Sequence, residues 1–288
     1  MNCLITGING FIGKRLAEEL KKNSYSVTGM DFSELKENHG GIYKVDISNW
    51  RELEQLKIKE RIDLIIHLVA ITDPNAEKQK IFSVNEKGTQ NICRFAEKNN
   101  IKKIIYISTV SVYSSYNIKY IDESTTEEPC NFYGESKLNA ESIIKASGLN
   151  YSILRPTNIF GVKNDKYSNY FSKLKFRGRR LGIVFYYNRN THLLFLQDLL
   201  DVISECIENV KSDNQTFIVS EDENNTFEKY ILKETMKCYN LKKKILPFPL
   251  FWKNTDGRIF IAKKIKEVLN IKFRFGVYYG LKKYLSEI

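Results

Sequence analysis

The segment that most restricts the fold is the run of small residues following the first apolar stretch. Asn2 to Thr6 is a short apolar run, and it leads directly into Thr6-Gly7-Ile8-Asn9-Gly10-Phe11-Ile12-Gly13. Apolar residues then recur at helical spacing (Phe11, Ile12, Leu16, Leu20), which predicts a strand, a tight turn and a helix over 11–22. Glycine is needed in such a turn for three reasons. One position must turn with positive φ, one must let the backbone approach a pyrophosphate, and one must let helix and strand come close. The helix N-terminus then offers N–H groups and a partial positive charge to phosphate. The GxxGxxG spacing is a variant of the dinucleotide fingerprint.

Strand patterns at 26–30, 42–45, 62–68, 103–107 and 151–154 alternate with helical patterns at 50–56, 82–98 and 132–146. Strands separated by helices imply an α/β fold, a Rossmann-type doubly wound parallel sheet that collects ligands at the carboxyl ends of its strands. Residues 1–156 are expected to form this dinucleotide-binding domain. Beyond Pro156 the alternation lapses, and residues 163–195 are aromatic, basic and poorly periodic. Helical patterns return at 198–209, 227–239 and 258–270, with a strand at 215–219. Residues 157–288 are expected to be a smaller substrate-binding region, built partly from chain that returns to the sheet.

The chain carries 45 Lys+Arg against 34 Asp+Glu, a formal charge of +11. Such a field attracts anions without saying which: nucleic acid, an anionic membrane or a phosphate-rich small molecule. The runs Lys242-Lys243-Lys244 and Lys263-Lys264 are short and lie among apolar residues at helical spacing, so they read as solvated faces. General over-use of Lys, Asn and Ile accounts for most of the surplus, and no nucleic-acid partner is expected. No apolar stretch approaches the roughly 20 residues that span a bilayer, and the N-terminus lacks the pattern of a signal peptide. A cytoplasmic protein without membrane insertion is expected. The five cysteines (Cys3, Cys93, Cys130, Cys206, Cys238) are odd in number and far apart, and His39, His67 and His192 are scattered. Reduced thiols and no metal site are expected.

Asp31 ends the second strand pattern. A carboxylate there accepts hydrogen bonds from both ribose hydroxyls and repels a 2′-phosphate, which favours NAD; as a mere turn residue it would leave NADP open. Asp46, in Val45-Asp46-Ile47, suits either the adenine amino group or the N-cap of the helix near Trp50. In Tyr133-Gly134-Glu135-Ser136-Lys137 the i,i+4 spacing puts a phenol and an ammonium on one helix face. A free phenol, with a pKa near 10, is a poor base at pH 7, and a cation one turn away, added to the positive nicotinamide ring of NAD, favours the phenolate. Thr109 lies just past a strand end in Ile107-Ser108-Thr109-Val110-Ser111-Val112-Tyr113, placed to bond the same substrate oxygen.

With these motifs in place the sequence resembles the extended short-chain dehydrogenase/reductases, in particular the NAD-dependent epimerase/dehydratase group that modifies nucleotide sugars. The resemblance extends to His67-Leu68-Val69-Ala70, Asn85-Glu86-Lys87-Gly88-Thr89, Leu154-Arg155-Pro156-Thr157-Asn158-Ile159-Phe160-Gly161, Phe195-Leu196-Gln197-Asp198-Leu199 and the ending Gly280-Leu281-Lys282-Lys283-Tyr284-Leu285. It implies Tyr133 as acid/base, Lys137 lowering its pKa and holding the nicotinamide ribose, and Thr109 orienting the sugar oxygen. Gly7, Asn9, Gly10, Phe11, Ile12, Gly13, Asp31, Asp46, Ile47, Leu68, Ala70 and Asn85 would line the NAD site, Asn85 near the ring and active-site solvent. Ser111, Asn158, Arg189 and Lys253 would meet the substrate. His67 fits a packed strand end better than a catalyst, and Arg155 and Asp198 suit structural or functional roles. The resemblance also implies a homodimer through helices at 82–98 and 132–146.

Two departures narrow the reaction. Family dehydratases carry an Asp-Glu pair directly after the threonine, whereas this chain has Val110 and Ser111. Dehydration is disfavoured, leaving a 4-epimerase or a 4-ketoreductase on a nucleotide sugar in a surface polysaccharide pathway. Two arginines that grip the diphosphate are also replaced: Thr191 takes one place, with Arg189 two residues earlier, and Lys253 takes the other. Lysine lacks the bidentate fork of arginine. An oxidoreductase for a non-nucleotide alcohol or ketone, and a non-catalytic dinucleotide-binding regulator or scaffold, are the alternatives.

Overall fold

The computed structural model describes residues 1–33, 41–73, 75–113, 118–161, 192–221 and 258–276, with shorter pieces at 183–186, 232–233, 236–237, 240, 242, 244–247, 279–280 and 282–283. In chain order the elements are β1 (Asn2–Thr6), α1 (Phe11–Lys22), β2 (Ser26–Asp31), β3 (Ile42–Lys44), α2 (Trp50–Gln55), β4 (Leu64–His67), α3 (Lys78–Phe82) and α4 (Gly88–Lys98). Then follow β5 (Lys103–Ile107), β6 (Tyr120–Ile121), α5 (Phe132–Ala146), β7 (Asn150–Pro156), β8 (Asn158–Phe160), β9 (Ile183–Tyr186) and β10 (Leu193–Phe195). The last are α6 (Leu196–Glu208), β11 (Gln215–Val219), β12 (Lys244–Pro247), β13 (Ile259–Phe260) and α7 (Lys263–Leu269).

Seven strands form one Rossmann-type sheet in the order β11-β7-β5-β4-β1-β2-β3. Parallel pairing sets Thr6 opposite Met30 on one side and His67 on the other, and Ile107 opposite Leu154. The chain leaves β1 for β2 on one flank and returns for β4 on the other. Ligands of such sheets bind outside the carboxyl ends at this reversal. Every residue of β1 and β4 is buried, as a sheet covered on both faces requires. Leu4, Ile65, Ile104, Tyr106 and Ile153 of the strands form one core with Ile92, Phe95 and Ala96 of α4 and Ala140 and Ile144 of α5.

The chain divides into two compact units. The first comprises Met1–Ser115, Thr126–Arg155 and Ile203–Phe217, and the second Tyr116–Thr125, Pro156–Val202 and Ile218–Ile288. In the second, β8 pairs with β10, β9 with β12, and β6 with β13, each pair parallel.

Two expectations meet a different outcome. The helix expected over 82–98 is broken by a π turn at Ser83–Lys87 between α3 and α4. The helix expected over 258–270 starts only at Lys263: the β-branched and aromatic run before it pairs with β6, where Ile259 N–H donates to Lys119 O (2.6 Å) and Ile261 N–H to Ile121 O (2.8 Å). Most of the helix expected over 227–239 lies outside the described residues. Among the described residues no helix is long and apolar enough to cross a membrane.

Candidate active site

The glycine turn closes the carboxyl end of β1. Gly7 holds φ +74, a conformation that favours glycine, and its N–H donates to Met30 O of β2 at 2.7 Å. A Cβ on Gly13 would lie 2.3 Å from Gly7 O and 2.7 Å from Ile8 Cα, so the first turn of α1 rests directly on the loop. Gly10 is exposed, and within 4 Å its Cβ would meet only Gly7 O, at 3.1 Å. Gly10 is also the N-cap of α1 and brings no side chain to the first-turn N–H groups. An open backbone face above uncapped donors fits a pyrophosphate. Asn9, Phe11 and Ile12 are half-buried around it.

Asp31 sits against this turn. Its Oδ2 accepts from Asn9 N–H (3.0 Å), and its Oδ1 accepts from Ser33 N–H (2.9 Å) and Oγ (2.6 Å). The end of β2 thus presents a carboxylate beside the phosphate cradle, where a ribose would lie. Asp46 Oδ1 accepts from Ser48 N–H (2.9 Å) and Oγ (2.7 Å), while the N-cap of α2 is Asn49. The capping alternative for Asp46 therefore fails. Ile47 is buried, and its carbonyl accepts from the Asn91 amide at 2.9 Å.

Across the switch point, Leu68 N–H donates to Thr6 O, and Leu68 and Ala70 are half-buried beyond β4. Asn85 stands in the π turn, buried. Its Nδ2 donates to Ile71 O (3.1 Å) and Ser136 Oγ (3.0 Å), and its Oδ1 accepts from Ile71 N–H (2.8 Å). Ser136 Oγ donates onward to Tyr133 O. The resemblance placed this amide near the ring and solvent; in the structure it ties the loop after β4 to the first turn of α5.

His67 is a packed residue. Its Nδ1 lies 2.6 Å from Thr6 Oγ1, its Nε2 lies 3.0 Å from Thr89 Oγ1, and its ring stacks on Tyr106. Burial, reinforced by Lys137, lowers its pKa from 6.5 to about 3. A depressed folded value means that the neutral ring's contribution is complete above pH 6.5 and is lost as pH falls toward 3. Between pH 7 and 5 the wild type should lose about 2 kcal/mol that the non-titrating His67→Gln variant keeps. Urea unfolding at the two pH values checks this.

Helix α5 carries Tyr133 in its first turn and Lys137 one turn later. Asn131 caps it by accepting from Gly134 N–H at 2.8 Å. A Cβ on Gly134 would come within 2.5 Å of Ser111 O, so this turn lies flat on the short helix Val110–Val112 that follows β5. The close approach brings the Tyr133 phenol near the Thr109 hydroxyl. Thr109 Oγ1 also accepts from Ser111 N–H and lies 3.1 Å from Ser111 Oγ. Lys137 is fully buried: its Nζ donates to Ile107 O at 2.6 Å and lies 4.1 Å from the centre of the Tyr106 ring.

Burial pushes the Tyr133 phenol up to about 12, with the Thr109 hydrogen bond opposing it. Burial lowers Lys137 to about 7, opposed by the Glu141 carboxylate. Desolvation therefore outweighs the cation one turn away, and without further positive charge the phenol stays protonated at neutral pH.

Residues 3–217 match the family described as NAD dependent epimerase/dehydratase. The chain belongs to this family. It is 26% identical to a UDP-glucose 4-epimerase of Vibrio cholerae, over 89% of this chain and 81% of that one. It is 31% identical to a GDP-6-deoxy-D-talose 4-dehydrogenase of Aggregatibacter actinomycetemcomitans, over 56% and 54%. The crystal structure of a Thermotoga maritima UDP-glucose 4-epimerase with UDP-glucose superposes with a TM-score of 0.82 at 22% identity, covering 100% of this chain and 98% of the other.

Asn158 is exposed at the start of β8 in the second unit. Arg189, Thr191 and Lys253 lie outside the described residues. Asp198 is structural, its Oδ1 accepting from Arg274 N–H (2.9 Å) and Phe275 N–H (3.2 Å). Arg155 is buried in an ion cluster with Glu141 and Glu127. Sequence reasoning passed over Glu141, Tyr106 and Ser136. The repeat of four from Tyr133 through Lys137 to Glu141 was the available signal for the first.

Proposed function

We propose that this protein interconverts alcohol and ketone at C4 of a nucleotide-activated sugar with NAD, as a 4-epimerase or a 4-ketoreductase. The observation that carries the reading is the Thr109–Tyr133 pair over buried Lys137, on the same strand edge as the glycine cradle and Asp31. Bound NAD supplies the hydride acceptor or donor and a positive ring. Gly7, Gly10 and Gly13 let the backbone and the start of α1 meet the pyrophosphate, and Asp31 takes the ribose hydroxyls and disfavours a 2′-phosphate. Asp46, Ile47, Leu68 and Ala70 flank the remainder of the dinucleotide. Lys137 holds the nicotinamide ribose, Thr109 and Ser111 orient the sugar oxygen, and Tyr133 moves its proton. Asn158, Arg189 and Lys253 serve the diphosphate end.

Val110 and Ser111 offer no carboxyl pair for elimination, which supports redox chemistry without dehydration. The differing reactions in the names of the relatives, one a 4-epimerase and one a 4-dehydrogenase, fit a shared centre that serves both outcomes. The same reading makes the protein a cytoplasmic homodimer across α4 and α5 that serves polysaccharide synthesis. Purified protein offered UDP-, dTDP-, CDP- and GDP-sugars, including 4-keto forms, should either form a C4 epimer with retained NAD or consume NADH in preference to NADPH. If none of these sugars reacts while a simple alcohol or ketone does, the nucleotide-sugar assignment fails.

A further inference from the structure

Tyr133, Lys137 and Glu141 follow one another at four-residue steps on α5, so they share one stripe of the helix. Lys137 and Glu141 are 1% and 0% exposed. Glu141 is clamped: Arg155 Nε donates to its Oε1 (2.9 Å), Arg155 Nη2 to its Oε2 (2.5 Å), and Ser108 Oγ to its Oε1 (2.5 Å). Arg155 Nη2 also meets Glu127 Oε1 at 2.5 Å, and Lys145 Nζ stands 3.8 Å from Glu141 Oε2 at the cluster's edge. Buried Glu141, Arg155 and Lys137 and half-buried Glu127 thus set two carboxylates against two cations. Arginine is permanently charged, and with Glu127 beside it one negative charge remains to serve the lysine.

Among the described residues the groups facing Lys137 are few. From β4 comes His67, which is neutral; from β5 come the Tyr106 ring and the Ile107 carbonyl; from α5 itself come Tyr133 and Glu141. Among these, Glu141 supplies the full negative charge.

We infer that Glu141 is a positioning residue for the redox centre: held by Arg155 and Ser108, its carboxylate keeps buried Lys137 an ammonium, directed at the Ile107 carbonyl and available to a ribose. The inference builds on the proposed role of Lys137, but its test does not require turnover. Burial already brings this lysine near the pH at which it discharges, so its protonation depends on the neighbouring charge.

The experiment is an NMR titration of protein labelled at lysine Cε, with the Lys137 signal assigned by a Lys137→Arg variant. In Glu141→Gln the Lys137 midpoint should fall by about one pH unit or more, a tenfold shift toward the neutral amine. Glu141→Asp, which keeps the charge, should restore most of it. If Glu141→Gln does not fold, Glu141→Gln/Arg155→Met removes both members of the buried pair, and the Lys137 midpoint should still fall. An unchanged midpoint in the folded variant overturns the inference, whatever happens to melting temperature. A shifted midpoint in a protein that turns over no nucleotide sugar leaves the inference standing and defeats the functional proposal alone.

Discussion

Replacing Tyr133 with phenylalanine is expected to lower kcat by a factor of about 10²–10⁴, the range for loss of a positioned acid or base. NAD should be retained as in the wild type. The substitution removes one oxygen from a half-buried ring and keeps the ring's packing. Thr109 loses its phenol partner, yet its Oγ1 still accepts from Ser111 N–H, so the cost in stability should stay near the value of a single hydrogen bond, about 1 kcal/mol. The glycine turn, Asp31 and Lys137, which the proposed function assigns to the cofactor, are untouched.

The pH profile separates a proton carrier from a merely bulky contact. With burial pushing the phenol up to about 12, the proposed mechanism has Tyr133 enter the reductive direction protonated. The oxidative direction needs the phenolate and therefore needs Lys137 charged. In the wild type, oxidative turnover should vary with pH as these groups titrate; the residual rate of Tyr133→Phe should be nearly flat. Product formation measured across pH 6–9 for both proteins, with melting temperature and NAD retention by mass spectrometry, checks the set. Activity within about tenfold of wild type in a folded, NAD-loaded Tyr133→Phe protein would remove the phenol from the mechanism.

The parts legible in the sequence are those determined locally. Strand β1, helix α1, strand β5, helix α5 and strand β11 take the expected bounds, because glycine punctuation and apolar periodicity are properties of the segment itself. Strands β6 and β13 were not legible, since each forms only by pairing with a partner more than a hundred residues away. Ile259-Phe260-Ile261 carries apolar side chains that suit a helix face as readily as a strand, and contact with β6 decides between them. The site divides in the same way. The Tyr133–Lys137 spacing is visible, and so is the place of Asp31 at the end of β2. The direction of the Tyr133 shift was not visible, because desolvation depends on everything packed around the first turn of α5. The engagement of Asn85 depends likewise on a π turn that no periodicity announces.

Arg155→Met is expected to cost about 3–5 kcal/mol of folding stability, the penalty for breaking one side of a buried ion pair. Arg155 is 1% exposed and makes two hydrogen bonds to Glu141, one to Glu127 and one to the Tyr113 hydroxyl. Methionine fills much of the volume but leaves the Glu141 carboxylate with Ser108 and the more distant Lys145. The loss should therefore come from the stranded charge and not from a cavity. A second variant distinguishes these causes. Adding Glu141→Leu removes the stranded charge and should recover most of the lost stability, since an apolar replacement of a whole buried pair is often neutral. Urea unfolding of the single and double variants reads this. A single variant within 1 kcal/mol of wild type would mean that Arg155 does not hold Glu141, and Lys137 would then lack the fixed charge argued to keep it an ammonium.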